Sequence, residues 1–496
     1  MRSDDMTGNT WQGRYDSFFI GGEWVQPATS ETITVVSPYT EQPIATVPAG
    51  TEADVDRAVS AARTAFDQGP WPRMSLAERI EIMRALSAEM AANVQLMAEL
   101  VTAEMGSPIA HSVPIQAQRP QLILEQMIEL AQDYPFDEVR EAPSGRARIL
   151  RRARGVLGAI VPWNAPHLIT LMKLAPALIA GCTVVVKSSP ESPLDQYLFA
   201  EMAIRAGLPA GVLNIVSADR GPSEHLVTHP DVDMISFTGS SAAGRRIGAL
   251  CGELIRPVTL ELGGKSAAIV LDDVDAESSA ETMLQMAFRN NGEVCTAKTR
   301  FILPRSRSKE IVDALVEKTR ALKVGDPFEE DVYFGPLVSS THRDRVEGMI
   351  REAVAQGATA VTGGGRPRGL DTGWFVEPTI FTNVSSAMTI AQEEVFGPVG
   401  LVLEYEGEDE AVAIANDSRY GLSGSVFGAD AARAAEIASR IQTGMVEVNG
   451  NPAGLAAPFG GFKESGLGHE LGAEGFDEFL TVQSIGLPRD LILPSR

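Results

Sequence analysis

Cysteine is scarce in this chain, which has only Cys182, Cys251 and Cys295 among its 496 residues. No two of them form a CxxC pair, and none has a histidine-rich neighbourhood. Disulfide-stapled folds and cysteine-based zinc sites need several closely spaced cysteines. The sequence therefore disfavours both, and we predict no metal site and free thiols in a reducing, cytoplasmic compartment.

Long hydrophobic runs are missing as well. Residues 1–16 contain no apolar stretch of signal-peptide length. The longest uncharged apolar stretch lies between Lys173 and Lys187 and is too short to cross a bilayer. The sequence thus predicts a soluble protein without a membrane partner.

Positive charge is in deficit, because 42 lysines and arginines face 65 aspartates and glutamates, for a net charge of −23. An acidic surface repels polyphosphate backbones, so nucleic acid is not an expected partner. Hydrophobic residues make up 44% and charged residues 22% of the chain, as in ordinary globular proteins. The length favours two or three domains.

From about residue 155 onwards, short β-rich apolar runs alternate with helical ones, which is typical of a parallel α/β sheet. Strands are predicted at 155–161, 183–187, 212–217, 234–239 and 258–262, with helices near 166–180, 194–206, 222–229 and 241–251. A second alternating stretch, roughly 299–449, has predicted strands at 299–303, 399–405, 424–428 and 444–449. Upstream, helical spacing predicts a helix over 55–67 and one long amphipathic helix from Leu76 to Met105, stopped by Gly106.

Residues 137–153 are predicted to form a charged hairpin around a Pro-Ser-Gly turn. A hairpin that projects from an α/β body invites pairing with another strand, which a second subunit could supply. Residues 478–486 have the β-propensity to be that strand.

Two phosphate-binding patterns fail. The ELGGKS segment (261–266) would need an upstream glycine where Thr259 stands, which disfavours a phosphotransferase. No GxGxxG follows a predicted strand. The strand ending near Phe237 instead leads into TGSSAAG (238–244), whose small residues could admit a pyrophosphate to a helix N-terminus. The same pattern fits a simple helix cap by Ser240 or Ser241.

Single polar residues are ambiguous by themselves. Cys182 and Cys251 have apolar surroundings typical of buried cysteines. Cys295 lies among polar and small residues in NNGEVCTAK (290–298), which predicts a loop or a helix start, and a helix N-terminus would favour its thiolate. Glu261 lies among apolar residues, where a carboxylate is either structurally paired or a general base with a raised pKa.

Seven motifs occur in an order and spacing that resemble the aldehyde dehydrogenase superfamily across essentially the whole chain. They are PWN (162–164), TVVVK (183–187), FTGS (237–240), LELGGK (260–265), GEVC (292–295), EEVFGP (393–398) and PFGGFKESGLG (458–468). The resemblance implies an α/β fold of two parallel α/β domains plus a small β oligomerisation arm. The Rossmann-like dinucleotide-binding domain would span 1–133 and 154–264, the catalytic domain 265–470, and the arm with the C-terminal tail 134–153 and 471–496. A homo-oligomer is also implied, either a dimer or a homotetramer.

For the chemistry, the resemblance implies that Cys295 attacks an aldehyde carbonyl to give a thiohemiacetal. The Asn164 amide and the Cys295 N–H would hold the oxyanion. Hydride transfer to a nicotinamide would leave a thioester, and Glu261 would activate water to hydrolyse it. Lys173 would support Asn164 and the proton network.

The resemblance also implies a set of cofactor-binding residues: Pro162, Trp163, Lys187, Gly221, Phe237, Gly239, Ser240, Leu262, Glu394 and Phe396. Lys187 would bond the adenosine ribose, Gly239 and Ser240 would meet the pyrophosphate, and Glu394 would bind the nicotinamide ribose. The GGK lysine, Lys265, is interpreted as structural.

Three positions depart from the family pattern. Pro190 stands where NAD-preferring members have a glutamate, and Glu191 is the nearest acid; NAD is the predicted cofactor, with NADP as the alternative. Glu293 replaces a common glutamine and, if buried, would add negative charge that opposes a Cys295 thiolate. Ala165 is small where an aromatic is common, which predicts a wider substrate tunnel.

Alternative functions are distinguished by the catalytic pair. CoA-acylating semialdehyde dehydrogenases usually lack the glutamate matched by Glu261, and non-catalytic proteins on this fold tend to lose the nucleophile or the base. Both Cys295 and Glu261 are present, which favours an enzyme that hydrolyses its thioester. A non-phosphorylating glyceraldehyde-3-phosphate type also has this pair. The aldehyde itself is set by tunnel side chains such as Ala165, Val294 and Thr296, together with the 449–459 loop.

Overall fold

The computed structural model describes residues 15–491. The strands, in chain order, are β1 (Phe18–Ile20), β2 (Glu23–Val25), β3 (Thr32–Val36), β4 (Pro43–Pro48), β5 (Asp137–Ala142), β6 (Gly145–Ala153), β7 (Val156–Ile160), β8 (Thr183–Ser188), β9 (Leu213–Ser217), β10 (Met234–Thr238), β11 (Val258–Glu261), β12 (Ala267–Val270), β13 (Arg300–Pro304), β14 (Thr359–Thr362), β15 (Thr379–Thr382), β16 (Val399–Tyr405), β17 (Tyr420–Gly421), β18 (Ser423–Phe427), β19 (Met445–Val448), β20 (Phe462–Lys463), β21 (Gly466–Leu467) and β22 (Leu480–Leu487).

The α-helices, in chain order, are α1 (Glu52–Asp67), α2 (Leu76–Ala92), α3 (Val94–Met105), α4 (Ile109–His111), α5 (Arg119–Asp133), α6 (Pro166–Ala180), α7 (Leu194–Arg205), α8 (Arg220–Thr228), α9 (Ser241–Glu253), α10 (Ala276–Phe288), α11 (Ser308–Ala321), α12 (Ser340–Ala355), α13 (Thr389–Gln392), α14 (Glu408–Asn416), α15 (Ala431–Ala438) and α16 (Gly472–Asp477). Residues Ser112–Gln118 form a π-helical turn between α4 and α5. No helix formed by residues 15–491 combines the length and apolar character needed to cross a membrane.

The predicted single helix from Leu76 to Met105 is wrong, because the structure has two helices, α2 and α3. Asn93 interrupts them with φ −113° and ψ 16°, and its side-chain amide donates to the Glu89 carbonyl at 2.7 Å. Such a local bond offers the backbone an alternative to the helical pattern. The apolar spacing continues on both sides of Asn93, which is why the sequence pattern misses the break. Gly106 ends α3 in the left-handed region, as predicted.

The first large sheet has the strand order β2-β1-β9-β8-β7-β10-β11-β21. Its five central strands, β7 to β11, run parallel and are almost entirely buried. They match the five apolar runs predicted from the sequence, because parallel strands covered on both faces read as continuous hydrophobic segments. The antiparallel strands β1, β2 and β21 lie at the edges.

The second large sheet has the order β14-β15-β16-β13-β12-β18-β19 and is parallel except for β14. It contains the predicted strands as β13, β16, β18 and β19. Strand β12, which lies between β13 and β18 in the sheet, is not among the strands predicted from the sequence. Two parallel-stranded α/β sheets confirm the predicted fold class. The chain passes from one to the other through residues 262–266, so Glu261 lies at the carboxyl edge of the first sheet.

A separate three-stranded sheet has the order β22-β6-β5. The predicted hairpin is present as β5 and β6, and β22 pairs antiparallel with β6 from Leu480 opposite Ala153 to Leu487 opposite Arg146. The strand that pairs with the hairpin therefore comes from the same chain, so a second subunit is not needed to supply it. The outer edges of β5 and β22 have no partner strand within the described residues.

Candidate active site

Cys295 lies in a turn that follows an unusual backbone segment. Asn290, Asn291 and Gly292 all have positive φ, at 52°, 58° and 74°, a conformation that asparagine and glycine tolerate best. Asn291 is held there by its side chain, which donates to the Gly106 carbonyl at 3.0 Å. No helix begins at Cys295, so the predicted helix-terminus stabilisation of its thiolate is not available.

Cys295 is a free cysteine of intermediate exposure. Burial raises its pKa to about 12, with further contributions from the charges of Glu394 and Glu261, whereas Arg289 lowers it. Gly264 packs against the same turn, because a Cβ there would lie 2.5 Å from the Cys295 carbonyl oxygen. A nucleophilic Cys295 therefore needs a neighbouring group that accepts its proton.

Asn164 is buried between β7 and α6, and hydrogen bonds hold both its backbone and its side chain. Its backbone carbonyl accepts from Gln116 Nε2 at 3.1 Å and from Asn290 Nδ2 at 3.0 Å. Its own Nδ2 donates to the Glu293 carbonyl at 3.0 Å, two residues before Cys295. An amide nitrogen has two N–H donors, so one orients the group and the second stays available.

Glu261 ends β11 and has only 3% of its surface exposed. Neither of its carboxyl oxygens has a hydrogen-bond partner among residues 15–491. Burial raises its pKa well above the usual value, and Glu470 raises it further, while Lys173 opposes the shift. A buried carboxyl with unused oxygens and a raised pKa has the properties of a general base.

Lys173, on α6, is fully buried and pairs with a carboxylate that the sequence reasoning missed. Its Nζ donates to Glu470 Oε1 at 2.5 Å and to Ser236 Oγ at 3.0 Å. No hydrogen bond joins Lys173 to Asn164 within residues 15–491, and its support of Asn164 stays a prediction. The Lys173–Glu470 pair does act on Glu261, because both charges shift the Glu261 pKa. The sequence signal that could have identified Glu470 is a single acidic residue within the apolar and glycine-rich GHELG segment.

The turn between β10 and α9 contains the N-cap residue of α9, and two glycines in this segment pack closely against neighbouring side chains. Ser240 caps α9, with its Oγ accepting from the Ala243 N–H at 3.3 Å. A Cβ at Gly239 would lie 2.5 Å from the Phe237 ring, and one at Gly244 would collide with Leu262. The Gly239 N–H donates to the Glu261 carbonyl at 3.0 Å. A pyrophosphate at Gly239 and Ser240 stays a prediction.

Lys187 is buried at the end of β8, and burial lowers its pKa to about 8, against the charges of Glu191 and Asp219. Pro162, which follows β7 after Val161, is half-buried. Gly221, in the first turn of α8, is exposed.

Glu394 and Phe396 lie in the loop that precedes β16, and both are held by contacts with other segments. Glu394 Oε1 accepts from the Gly264 N–H at 2.9 Å, and burial raises the pKa of this carboxyl to about 7. Phe396 has a left-handed φ of 57°, and its carbonyl accepts from His342 Nε2 at 2.7 Å. Trp163 makes edge-to-face contacts with the Phe396 ring at 5.4 Å and the His342 ring at 5.5 Å. These rings make one aromatic wall.

The profile of the aldehyde dehydrogenase family matches residues 24–485. This chain belongs to the aldehyde dehydrogenase family.

Individual relatives agree. Geranial dehydrogenase of Castellaniella defragrans is 42% identical over 474 residues, 95% of this chain and 99% of that protein. A 3-succinoylsemialdehyde-pyridine dehydrogenase of a Pseudomonas species is 40% identical over 474 residues, 95% of this chain and 98% of that protein. The prediction of an aldehyde dehydrogenase is confirmed.

Solved structures give the same result. A Mycobacterium tuberculosis aldehyde dehydrogenase complexed with NAD+ has a TM-score of 0.95 and 42% identity, covering 97% of this chain and 99% of that one. A mutant of aldehyde dehydrogenase C from Pseudomonas syringae, complexed with NAD+ and octanal, has a TM-score of 0.93 and 39% identity, covering 96% of this chain and 98% of that one.

Glu293 distinguishes this aldehyde dehydrogenase from the expected pattern, and its effect differs from the prediction. It is fully buried, with Oε1 accepting from the Val338 N–H at 3.1 Å and lying 3.6 Å from His342 Nε2. Burial raises its pKa well above the usual value, which favours the neutral form of the carboxyl. Glu394 and Glu261 are the acids that raise the pKa of Cys295.

Lys265 of this aldehyde dehydrogenase has no hydrogen-bond partner for its buried Nζ within the described residues. Burial lowers its pKa to about 7, and Glu394 is one of the carboxylates that counteract this. No hydrogen bond of its Nζ within the described residues therefore supports the interpretation of Lys265 as structural.

Proposed function

We propose that this enzyme oxidises an aldehyde to a carboxylic acid with NAD+, through a thioester on Cys295 that water hydrolyses. The observation that carries the proposal is the buried carboxyl of Glu261. It has no hydrogen-bond partner within residues 15–491, and its charge raises the pKa of the Cys295 thiol. Hydrolysis of the thioester needs a free carboxylate that can activate water. Transfer of the acyl group to CoA does not need such a base.

In the first half of the reaction, Glu261 accepts the thiol proton and the sulfur of Cys295 adds to the aldehyde carbon. The negative charge then moves to the former carbonyl oxygen. The free N–H of Asn164 Nδ2 and the backbone N–H of Cys295 are the donors we assign to that oxyanion. The Glu293 carbonyl holds the Asn164 amide in place before substrate arrives, so little reorganisation is needed.

The collapse of the Cys295 thiohemiacetal to the thioester releases a hydride, and bound NAD+ would supply the acceptor for it. The residues present fit a dinucleotide: Gly239 keeps the turn beside Phe237 free of a side chain, and Ser240 caps α9. We assign the other contacts to the residues expected from the sequence, namely Pro162, Trp163, Lys187, Gly221, Leu262, Glu394 and Phe396.

Before the second half, Glu261 releases the thiol proton to solvent. Its carboxylate then takes a proton from water, and the hydroxide adds to the thioester carbon. The carbon–sulfur bond breaks, the acid leaves, and Glu261 returns its proton to the Cys295 thiolate. Lys173 and Glu470 stay paired beside this carboxyl and set how readily it holds its proton.

We propose NAD as the preferred cofactor over NADP. Glu191 lies one residue later than the usual ribose-binding glutamate, yet its charge acts on Lys187, as does that of Asp219. Two carboxylates near the adenosine lysine disfavour a 2′-phosphate. Glu191→Gln is expected to raise kcat/KM with NADP relative to NAD, with the exposed Glu253→Gln as control. An unchanged cofactor ratio would contradict this role.

For assembly, we propose that the three-stranded sheet is the oligomerisation arm of a cytoplasmic homotetramer, beside the two domains expected from the sequence. Val482 and Ile485 on β22 are exposed hydrophobic side chains in the single chain, which supports burial against another copy. Light scattering of the purified enzyme measures the oligomer; a monomer would contradict the proposal.

The proposed reaction is tested by product analysis with and without CoA. We expect the free acid in both cases and a rate that does not depend on CoA. Acyl-CoA as the main product, or turnover only with CoA, would overturn hydrolysis and support an acylating enzyme.

A further inference from the structure

Helices α1 and α8 pack side by side against the first large sheet. Their apolar faces share one hydrophobic core, to which α1 contributes Val55 and Val59, and α8 contributes Leu226 and Val227. Asp56 follows Val55 in the chain and is exposed, so it lies on the solvent side of α1. The packing of the two helices therefore also brings polar side chains together at the surface.

The carboxylate of Asp56 lies between two histidines at the end of α8. Its Oδ1 is 2.6 Å from His225 Nε2 and 3.4 Å from His229 Nε2. The two imidazole rings meet edge to face, with their centroids 5.7 Å apart. All three of these atoms lie within 4.8 Å of one another. One carboxylate oxygen and two imidazole nitrogens thus converge on one small volume.

The two histidines are held in position by the helix and by an arginine. His225 and His229 are four residues apart, a spacing that places both on the same helix face. Arg256 donates to the carbonyls of Val227 and His229, the second at 2.7 Å, and so fixes the end of α8. The His225 and His229 side chains keep 29% and 12% of their surface exposed, which lets an ion enter from solvent.

This set of ligand atoms suits Zn²⁺. Two imidazole nitrogens and one carboxylate oxygen are three of the four tetrahedral ligands, and water can take the fourth position. With metal–ligand distances of about 2.0–2.2 Å, the ligand atoms of a tetrahedral Zn²⁺ lie about 3.4 Å from one another. The Asp56–His229 separation already has this value. The Asp56–His225 separation has to open from its hydrogen-bond distance, which a rotation of the exposed Asp56 side chain can supply.

The histidines can present unprotonated nitrogens to the ion. Burial lowers the pKa of His229, which favours the neutral ring, although the charge of Asp56 acts in the opposite direction. Zn²⁺ then takes the position of the Nε2 proton, and the proton of the neutral ring moves to Nδ1. The His229 Nδ1 now accepts from the Asp231 N–H at 3.1 Å, an exposed contact that water can replace. Binding therefore exchanges hydrogen bonds at the surface for bonds to the metal.

We propose that Asp56, His225 and His229 form a Zn²⁺ site that links α1 to α8. The inference does not depend on the proposed function, because none of these residues takes part in the reaction at Cys295. The ion would hold the helix whose first turn contains Gly221. We predicted no metal site from the cysteines, and this site leaves no local motif, because Asp56 and His225 lie 169 positions apart.

The test is isothermal titration calorimetry of full-length, untagged, chelator-treated enzyme with Zn²⁺. Zn²⁺ also binds thiolates, so the titration is made on Cys295→Ala enzyme, in which only the buried Cys182 and Cys251 remain. We expect one Zn²⁺ to bind per chain.

Variants then locate the ion. Asp56→Asn and His225→Gln should each raise the Kd for Zn²⁺ by roughly tenfold to hundredfold or more, since even the loss of a group that orients a ligand costs that much. Asp67→Asn is the matched control, because Asp67 is on the same helix and its side chain has the same 54% exposure as that of Asp56. The control should leave the Kd unchanged.

Thermal unfolding gives an independent readout, because an ion that binds only the folded state raises the Tm. Zn²⁺ should raise the Tm of Cys295→Ala enzyme but not after Asp56→Asn is added. Failure to bind one Zn²⁺ per chain, or the same Kd in Asp56→Asn, His225→Gln and the control, would overturn the site and leave the proposed reaction intact. An equal rise in Tm with Mg²⁺ would overturn the imidazole ligands, since Mg²⁺ prefers oxygen.

Discussion

Replacement of Glu261 by glutamine is the change whose consequence differs most between the two halves of the reaction. Glutamine has nearly the same shape, and the native carboxyl makes no hydrogen bond within the described residues that the amide would break. Burial already favours the neutral form of this carboxyl. The variant should therefore fold normally and lose only the ability to accept a proton.

The size of the effect follows from that lost proton acceptor. General base catalysis typically contributes about 10²–10⁴ in rate. We expect hydrolysis of the thioester in Glu261→Gln to slow by a factor in that range, or about 3–5 kcal/mol in the barrier. Hydride transfer precedes hydrolysis, so NADH should appear in a burst of one equivalent per active site, followed by slow turnover. The thiol of the variant must lose its proton to solvent, so the burst should be slower than the first turnover of the wild type but faster than hydrolysis of the thioester.

Stopped-flow absorbance of NADH measures both phases, with the exposed Glu253→Gln on α9 as the matched control. Because the base works only when deprotonated and its pKa is raised, wild-type kcat should rise with pH until Glu261 is ionised. Undiminished turnover in the variant would refute the assignment. A slow first turnover without a burst would confine Glu261 to thiol deprotonation.

Three further outcomes are expected. Asn164→Ala should lower kcat/KM by about 10²–10³ and leave NAD affinity unchanged in a binding titration, whereas an unchanged kcat/KM would exclude its oxyanion role. Alkylation of Cys295 by iodoacetamide should accelerate with every rise in pH from neutral to alkaline values, since the folded pKa is about 12, and Glu394→Gln should speed it at fixed pH by removing a negative charge. A plateau near neutral pH would contradict the raised pKa. Lys173→Met leaves Glu470 buried without its partner and should cost about 3–5 kcal/mol in denaturant unfolding; a loss below about 1 kcal/mol would refute that pairing.

The fold was predictable where burial produces a continuous pattern. Strands β7 to β11 are covered on both faces, so each reads as an uninterrupted apolar run. Strand β12 is also a buried apolar run, but it has only four residues, and its central place depends on pairing with β13 and β18, which are distant in sequence. The break at Asn93 escaped because one side-chain hydrogen bond, rather than a change of apolar spacing, produces it.

The candidate site was predictable as a set of residues but not as a set of contacts. The order of motifs identified Cys295, Asn164 and Glu261, whereas their local segments alone did not. Glu470 escaped because its partner Lys173 is 297 positions away in the chain. For Glu293, the sequence shows the carboxyl but not its burial, and burial raises the pKa and so favours the uncharged form.

A covalent thioester on Cys295 can be detected by intact and peptide mass spectrometry of acid-quenched Glu261→Gln enzyme. After one burst with NAD+ and an aldehyde, we expect one acyl group per chain, on the peptide that contains Cys295, and none in Cys295→Ala. An acyl group on Cys182 or Cys251, or full turnover by Cys295→Ala, would contradict it.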